Sequence, residues 1–250
     1  MAAVFAAGVG AGAINSVVGS GTLITFPVLL ATGLSPVTAT VSNALGLIPG
    51  SISGAIGYRE ELSGQRRRVL KLSAGALLGG LAGATLLLAL PADAFETIVP
   101  VLVSLALLLV ALQPQIGRWV QRRRERTGAS PRRDGGPLLL TGLTLASVYG
   151  GYFTAAQGII YLSLMGMLLD EPLQRLNGVK NVLSAVVNTV AALFFLFAAD
   201  FDWTAVGLLA AGSALGGYAG AKVGRRFSPL VLRILVVTVG TVALVQLLLR

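Results

Sequence analysis

Apolar residues occupy ten stretches, at 2–18, 22–34, 37–57, 69–90 and 95–113, then at 137–153, 156–169, 176–198, 204–222 and 230–249. The runs are continuous rather than strictly alternating, which is the pattern of helices and not of strands in a closed barrel. A hydrocarbon core of about 30 Å takes roughly 20 helical residues at about 1.5 Å each. The last three stretches of each five are long enough to span it alone, and the first two are short. Each short pair is interrupted by small or polar residues, Gly19-Ser20-Gly21 in one half and Ala156-Gln157-Gly158 in the other. The pattern predicts a helical hairpin turning within the membrane, although two short complete spans give the same parity of crossings.

The two sets of five are related to each other. Adding 137 to Gly75, Gly79 and Gly83 gives Gly212, Gly216 and Gly220, and residues 78–84 and 215–221 differ at one position. Adding 138 carries Val41-Ser42-Asn43 onto Val179-Lys180-Asn181 and Gly12 onto Gly150. Equivalent loops have opposite charge. Arg59, Arg66, Arg67, Arg68 and Lys71 follow the third stretch, where the second half has Asp200 and Asp202; Asp93 and Glu96 then stand opposite Lys222, Arg225 and Arg226. Basic loops stay on the cytoplasmic side, so the halves are expected to be inverted. The predicted architecture is an all-α polytopic membrane protein of two inverted-topology repeats, each a helical hairpin plus three transmembrane helices. Residues 1–113 form the first repeat, 114–136 a basic cytoplasmic linker and 137–250 the second repeat. Residues 58–69, 170–176 and 222–229 join the linker in the cytoplasm.

Composition strengthens this reading and removes others. With 55% hydrophobic residues, 12% charged residues and a mean hydropathy of +0.83, the chain lacks the polar surface to cover a water-soluble globule. The net charge of +9 suggests nucleic acid in a soluble protein, but here the bases lie between apolar stretches and report topology. The absence of cysteine and histidine removes disulfides, thiolate metal sites and the usual neutral-pH base, so neither a metal, a cofactor nor an enzymatic triad is expected. Met1 to Val18 has no basic leader and is read as the first structural element.

Two kinds of pattern carry candidate chemistry. Glycines spaced by four at 46, 50 and 54, at 75, 79 and 83, and at 212, 216, 220 and 224 let helix backbones approach closely, and are assigned to packing. Gly8, Gly10 and Gly12 lack the spacing of a nucleotide loop. By contrast Asn177, Asn181, Ser184 and Asn188 line one face of a spanning helix, with Lys180 beside them, and the first repeat carries Ser42 and Asn43 in the same phase. A polar face in lipid must look inward. Lys180 is the expected countercharge for a small anion, with Asn43 and Asn181 as hydrogen-bond donors, although a lysine can also snorkel to the interface. Gly19, Ser20 and Gly21 with Gln157 and Gly158 supply backbone amides at the breaks that can cradle oxyanion oxygens, or simply form tight turns.

The glycine-rich break followed by Pro27, then Gly33-Leu34-Ser35-Pro36, Ala39-Thr40-Val41-Ser42-Asn43 and Asn177-Gly178-Val179-Lys180-Asn181, resembles the sulfite exporter TauE/SafE family, also called the 4-toluenesulfonate uptake permease family. The resemblance implies a multi-pass inner-membrane transporter of sulfite, sulfonates, thiosulfate or related anions, more often exporting than importing. The first break departs from the family in having Gly-Ser-Gly, and the second in having Gln157. The expected partners are a small anionic substrate and the lipid bilayer. Alternating-access export is the first expectation; an anion channel or a non-transporting scaffold subunit are the alternatives.

Overall fold

The computed structural model describes residues 1–127, 135–223 and 229–248. Its elements are helices: α1 (Ala2–Val17), α2 (Thr22–Ala31), α3 (Pro36–Gly46), α4 (Ile48–Gly57), α5 (Arg66–Ala89), α6 (Ala92–Thr127), α7 (Gly136–Tyr152), α8 (Gln157–Leu168), α9 (Leu173–Phe195), α10 (Trp203–Val223) and α11 (Pro229–Leu248). Among the described residues, four segments, α5, Asp93–Trp119 of α6, α9 and α10, are each long and apolar enough to cross a membrane. The chain is an all-helical polytopic membrane protein.

Two elements differ from the expected stretches. The apolar run 37–57 is divided, because Pro49 in the first turn of α4 has no N–H for the carbonyl one turn back and its ring crowds that carbonyl. Leu47 keeps helical torsions, φ −92 and ψ −4, and its carbonyl accepts from Ser51 N at 3.0 Å. The two helices therefore continue one another across a kink. Second, α6 does not stop near Gln113 but runs 36 residues to Thr127, about 54 Å of helix. The first part of the basic linker thus prolongs α6. Arg132 and Arg133 of that linker, and Arg225 and Arg226, lie outside the described residues.

Glycine sets the closest approaches. A Cβ on Gly216 would stand 2.0 Å from the Val9 carbonyl oxygen and one on Gly12 2.3 Å from that of Ser213, so α1 and α10 touch backbone to backbone. The same contact joins α5 to α7, where a Cβ on Gly83 would lie 2.0 Å from Val148 O and one on Gly79 2.3 Å from Thr144 O. Residue numbers rise together across each seam, so both pairs are parallel. Helix α4, with the end of α3 before it, is likewise parallel to α10, with Gly46 of α3 at Leu209 and Gly50 and Gly57 of α4 at Ser213 and Ala221. Against α9 the order reverses: Gly54 meets Asn181 whereas Gly178 meets Tyr58, which makes α4 and α9 antiparallel.

Two buried clusters flank these seams. One joins α1, α2, α3, α6 and α8 and includes Phe26 edge-on to Phe153 at 5.3 Å, while the other joins α5, α7, α8 and α9 through Leu72, Leu143, Tyr161 and Leu183. At one end of the bundle Glu171 accepts from Arg68 Nη1 at 2.7 Å and Arg175 Nε at 2.6 Å, and Arg175 Nη2 reaches Ser63 O at 3.2 Å. Residues 63–68 and 171–175 therefore share an edge. Arg59, Glu60, Glu61, Tyr218 and Lys222 line a cleft beside them, so the end of α10 lies at this edge and its start, Trp203, at the other.

Burial pushes the Glu171 carboxyl up, but the Arg68 and Arg175 guanidiniums outweigh it and hold the carboxyl below its ordinary value. A depressed carboxyl stabilises the fold above its unfolded pKa, and that contribution is lost as pH falls through the folded one. Thermal stability in detergent is expected to fall in wild type as pH drops through and below the usual carboxylate range, and Glu171→Gln is expected to abolish that component of the pH dependence. Gly216→Val or Gly83→Val is expected to overpack a seam by roughly 1–3 kcal/mol, lowering Tm by about 2–10 °C. Gly207→Val, whose Cβ meets nothing within 4 Å, is the matched control and is expected not to lower Tm.

Candidate functional site

Helix α9 starts after Pro172, which holds extended torsions and ends the preceding turn, and it buries one face from Leu176 to Phe195. Lys180 on that face has 0% exposure and is the one charged side chain among the buried residues described. It does not snorkel. Its Nζ donates to the carbonyl oxygens of Asn15 at 2.7 Å and Ser16 at 2.8 Å, and Asn181 Nδ2 donates to Ser16 O at 3.2 Å. These carbonyls belong to the last turn of α1, which has no further helical N–H to meet them. An ammonium there suits the negative end of the helix dipole.

The turn after α1 explains its glycines. Gly19 has φ +86, a region that costs a residue with a Cβ, and it lies against the second break: a Cβ on Gly19 would stand 2.4 Å from Gly158 Cα, and Gly158 N donates to Gly19 O at 3.1 Å. A Cβ on Gly158 would also come within 3.0 Å of the Lys180 side chain. Both breaks, Lys180 and Asn181 therefore meet at one point. The second break carries its reversal differently, with non-glycine residues Thr154 and Ala156 at φ 69 and φ 57. Such conformations cost free energy and are held by their surroundings. Gln157 fills the space left by Gly150 and donates through Nε2 to the Tyr161 hydroxyl, which lies 2.5 Å from Ser147 Oγ.

The remaining candidates are also buried but are divided among other partners. Asn43 Oδ1 accepts from Thr25 Oγ1 at 2.5 Å and its Nδ2 donates to Thr22 Oγ1 at 3.2 Å, so it is fastened to α2 rather than to Lys180. Thr22 follows Gly21 directly, so this polar pair adjoins the first break. Ser42 turns away and accepts from Asp202 N at 3.1 Å, fixing the connection into α10. Asn177 and Ser184 stay on the buried α9 face at 2% and 5% exposure. Asn177 Oδ1, Asn181 Oδ1, Gln157 Oε1, Ser20 Oγ and both polar atoms of Asn188 have no hydrogen-bond partner within the protein. Buried polar atoms left so are costly, so they stand out in an otherwise apolar interior. The sequence reading missed Thr22, Thr25, Ser147 and Tyr161; the threonines' spacing of three in an otherwise apolar decamer was the available signal.

The arrangement can hold an anion because it concentrates a cation, amide groups and hydroxyls in a buried setting where, among the described residues, no buried carboxylate competes. Residues 4–247 match the model of the family described as "Sulfite exporter TauE/SafE". The chain is 29% identical over 244 residues to the Escherichia coli K12 protein named "Probable membrane transporter protein YfcA", covering 95% of this chain and 86% of that one. A Haemophilus influenzae protein, "Probable membrane transporter protein", is 26% identical over 225 residues, covering 89% and 84%, and the Sinorhizobium "Probable membrane transporter protein ORF9" is 28% identical over 228 residues, covering 91% and 83%. No solved structure matches the chain.

The two breaks make opposite demands on Cβ. Gly19→Ala drives a methyl into Gly158 and is expected to lower Tm. Ala156→Gly is expected to relieve roughly 1 kcal/mol of left-handed strain and to raise Tm, both measured by thermal unfolding in detergent.

Proposed function

The chain belongs to the sulfite exporter TauE/SafE family, and on that premise we propose that it is a secondary transporter moving a small organosulfur or sulfur oxyanion out across the inner membrane by alternating access. The observation that carries this reading is Lys180, a fully buried ammonium whose hydrogen bonds go to main-chain carbonyls and not to a carboxylate. A carboxylate partner would neutralise the site, whereas carbonyl dipoles leave its net charge available to an anion.

In this conformation the carbonyls of Asn15 and Ser16 occupy the ammonium. A sulfite or sulfonate oxygen displaces them, since a charge-assisted bond to an oxyanion is stronger than one to a neutral carbonyl. Asn181 and the backbone at Gly19 and Gly158 complete the proposed cradle, and Ser20, Gly21, Gln157, Asn177 and Ser184 extend it. Asn43, with Thr22 and Thr25, holds the first hairpin at its other flank. Losing two bonds to Lys180 loosens the end of α1, which couples substrate arrival to hairpin movement.

Inversion of the halves is part of the proposal. It is supported by the antiparallel run of α4 against α9 and by the matching seams of α1 with α10 and α7 with α5. The edge bearing Arg59, Arg66, Arg67, Arg68 and Lys71 is assigned to the cytoplasm. With no histidine in the chain and no carboxylate among the buried residues described, export follows the membrane potential; 100 mV inside negative favours exit of a monovalent anion by about 2.3 kcal/mol.

In proteoliposomes, sulfite or sulfonate flux is expected to saturate, to show counterflow and to respond to an imposed potential. Lys180→Met is expected to reduce it about tenfold or more while the folded protein is retained. Flux that never saturates and lacks counterflow would identify a channel instead. Full flux in Lys180→Met would overturn the assigned site.

A further inference from the structure

A second feature lies on the opposite, outward side of the α4–α9 pair. Where Gly54 and Asn181 face inward, Ile52, Ala55 and Ile56 of α4 and Val182, Ala185, Val186, Thr189 and Val190 of α9 line a groove of about 570 Å³. Along α9 it spans about 12 Å from Val182 to Val190. Its walls are apolar, and Ile52 and Ile56 are exposed, at 46% and 51%. One end is closed by Leu62 and Arg59, which belong to the turns following α4. Among the described residues, Arg59 is the one charged residue lining the groove. Glu60, Glu61 and Lys222 line the neighbouring cleft beside α10, which Arg59 also borders.

We propose that this groove is a binding site for an anionic phospholipid, with one acyl chain between α4 and α9 and the phosphate on the Arg59 guanidinium. An apolar trough ending in a cation at the bundle edge complements a molecule that is apolar along its length and negative at its head. A guanidinium is suited to phosphate through its planar fork of donors. Exposed Arg66, Arg67 and Lys71 sit in the first two turns of α5, on the same edge, and add to the positive field that draws an anionic headgroup. A second copy of the chain fits less well, because a partner surface would bury Arg59 at the groove end and would have to compensate its charge. The groove backs directly onto the helices that carry Asn181 and Gly54, so an inserted chain sets their separation. The inference is independent of the transported substrate.

The test is native mass spectrometry of the purified full chain in a non-ionic detergent, titrated with phosphatidylglycerol or phosphatidylcholine of identical acyl chains. Wild type is expected to retain one phosphatidylglycerol with an affinity about fivefold above that for phosphatidylcholine. Arg59→Gln is expected to remove the preference, Arg59→Lys to keep most of it, and Ala185→Trp, which fills the groove, to reduce retention of both lipids. Monodispersity and Tm of each variant establish folding, and Arg59, being exposed, is replaceable without opening the core. Equal retention of the two lipids by wild type, an undiminished preference in Arg59→Gln, or a wild-type dimer that Ala185→Trp dissociates would overturn the proposal.

Discussion

A helix that ends in the buried interior leaves carbonyls that water cannot reach, and the arrangement of this protein follows from how those carbonyls are met. At the end of α1 they are met by an ammonium. Placing a charge in such a setting is costly on its own, and so is leaving two carbonyls bare, but each removes much of the other's cost. The pairing explains why Lys180 points inward instead of reaching back along α9 toward the interface. It also makes a single side chain serve both the packing of the hairpin and the chemistry proposed for the site.

That pairing depends on backbone proximity. Lys180 reaches Asn15 and Ser16 because α1 is drawn against α10, α10 against α4, and α4 against α9, each through residues without or nearly without side chains. Close approach replaces the hydrophobic driving force, which lipid does not provide between helices. The glycine stripes and the polar stripe are thus two parts of one device. The first sets distances, and the second uses them.

Much of this was legible in the sequence for a simple reason: apolar run length and charge asymmetry are coarse signals that survive any detail of packing. The helical class, the short first pairs, the packing glycines and the inward face of α9 could be read from them. The kink at Pro49 was concealed by continuous hydropathy across 37–57, since hydropathy does not register a missing backbone donor. The extension of α6 to Thr127 was concealed because arginines mark a water-facing segment without telling helix from coil. Within the candidate site, the meeting of Gly19 with Gly158 required tertiary contact and left no periodic trace. Ser42 and Asn43 are neighbours in sequence, yet one binds the connection before α10 and the other binds α2, because adjacent residues on a helix point about 100° apart.

The two hairpins reverse by unlike means, and this bears on energetics beyond the static arrangement. The first uses Gly19 at positive φ, where glycine is at ease; the second uses Thr154 and Ala156, where a side chain is not. Two interchangeable halves would give an inward-open and an outward-open form of identical free energy. Torsional strain confined to one half lifts that degeneracy. In the proposed alternating-access cycle, each 1–2 kcal/mol released in only one of the forms would skew their populations by a factor of about 5–30, and the empty protein would rest preferentially on one side of that cycle.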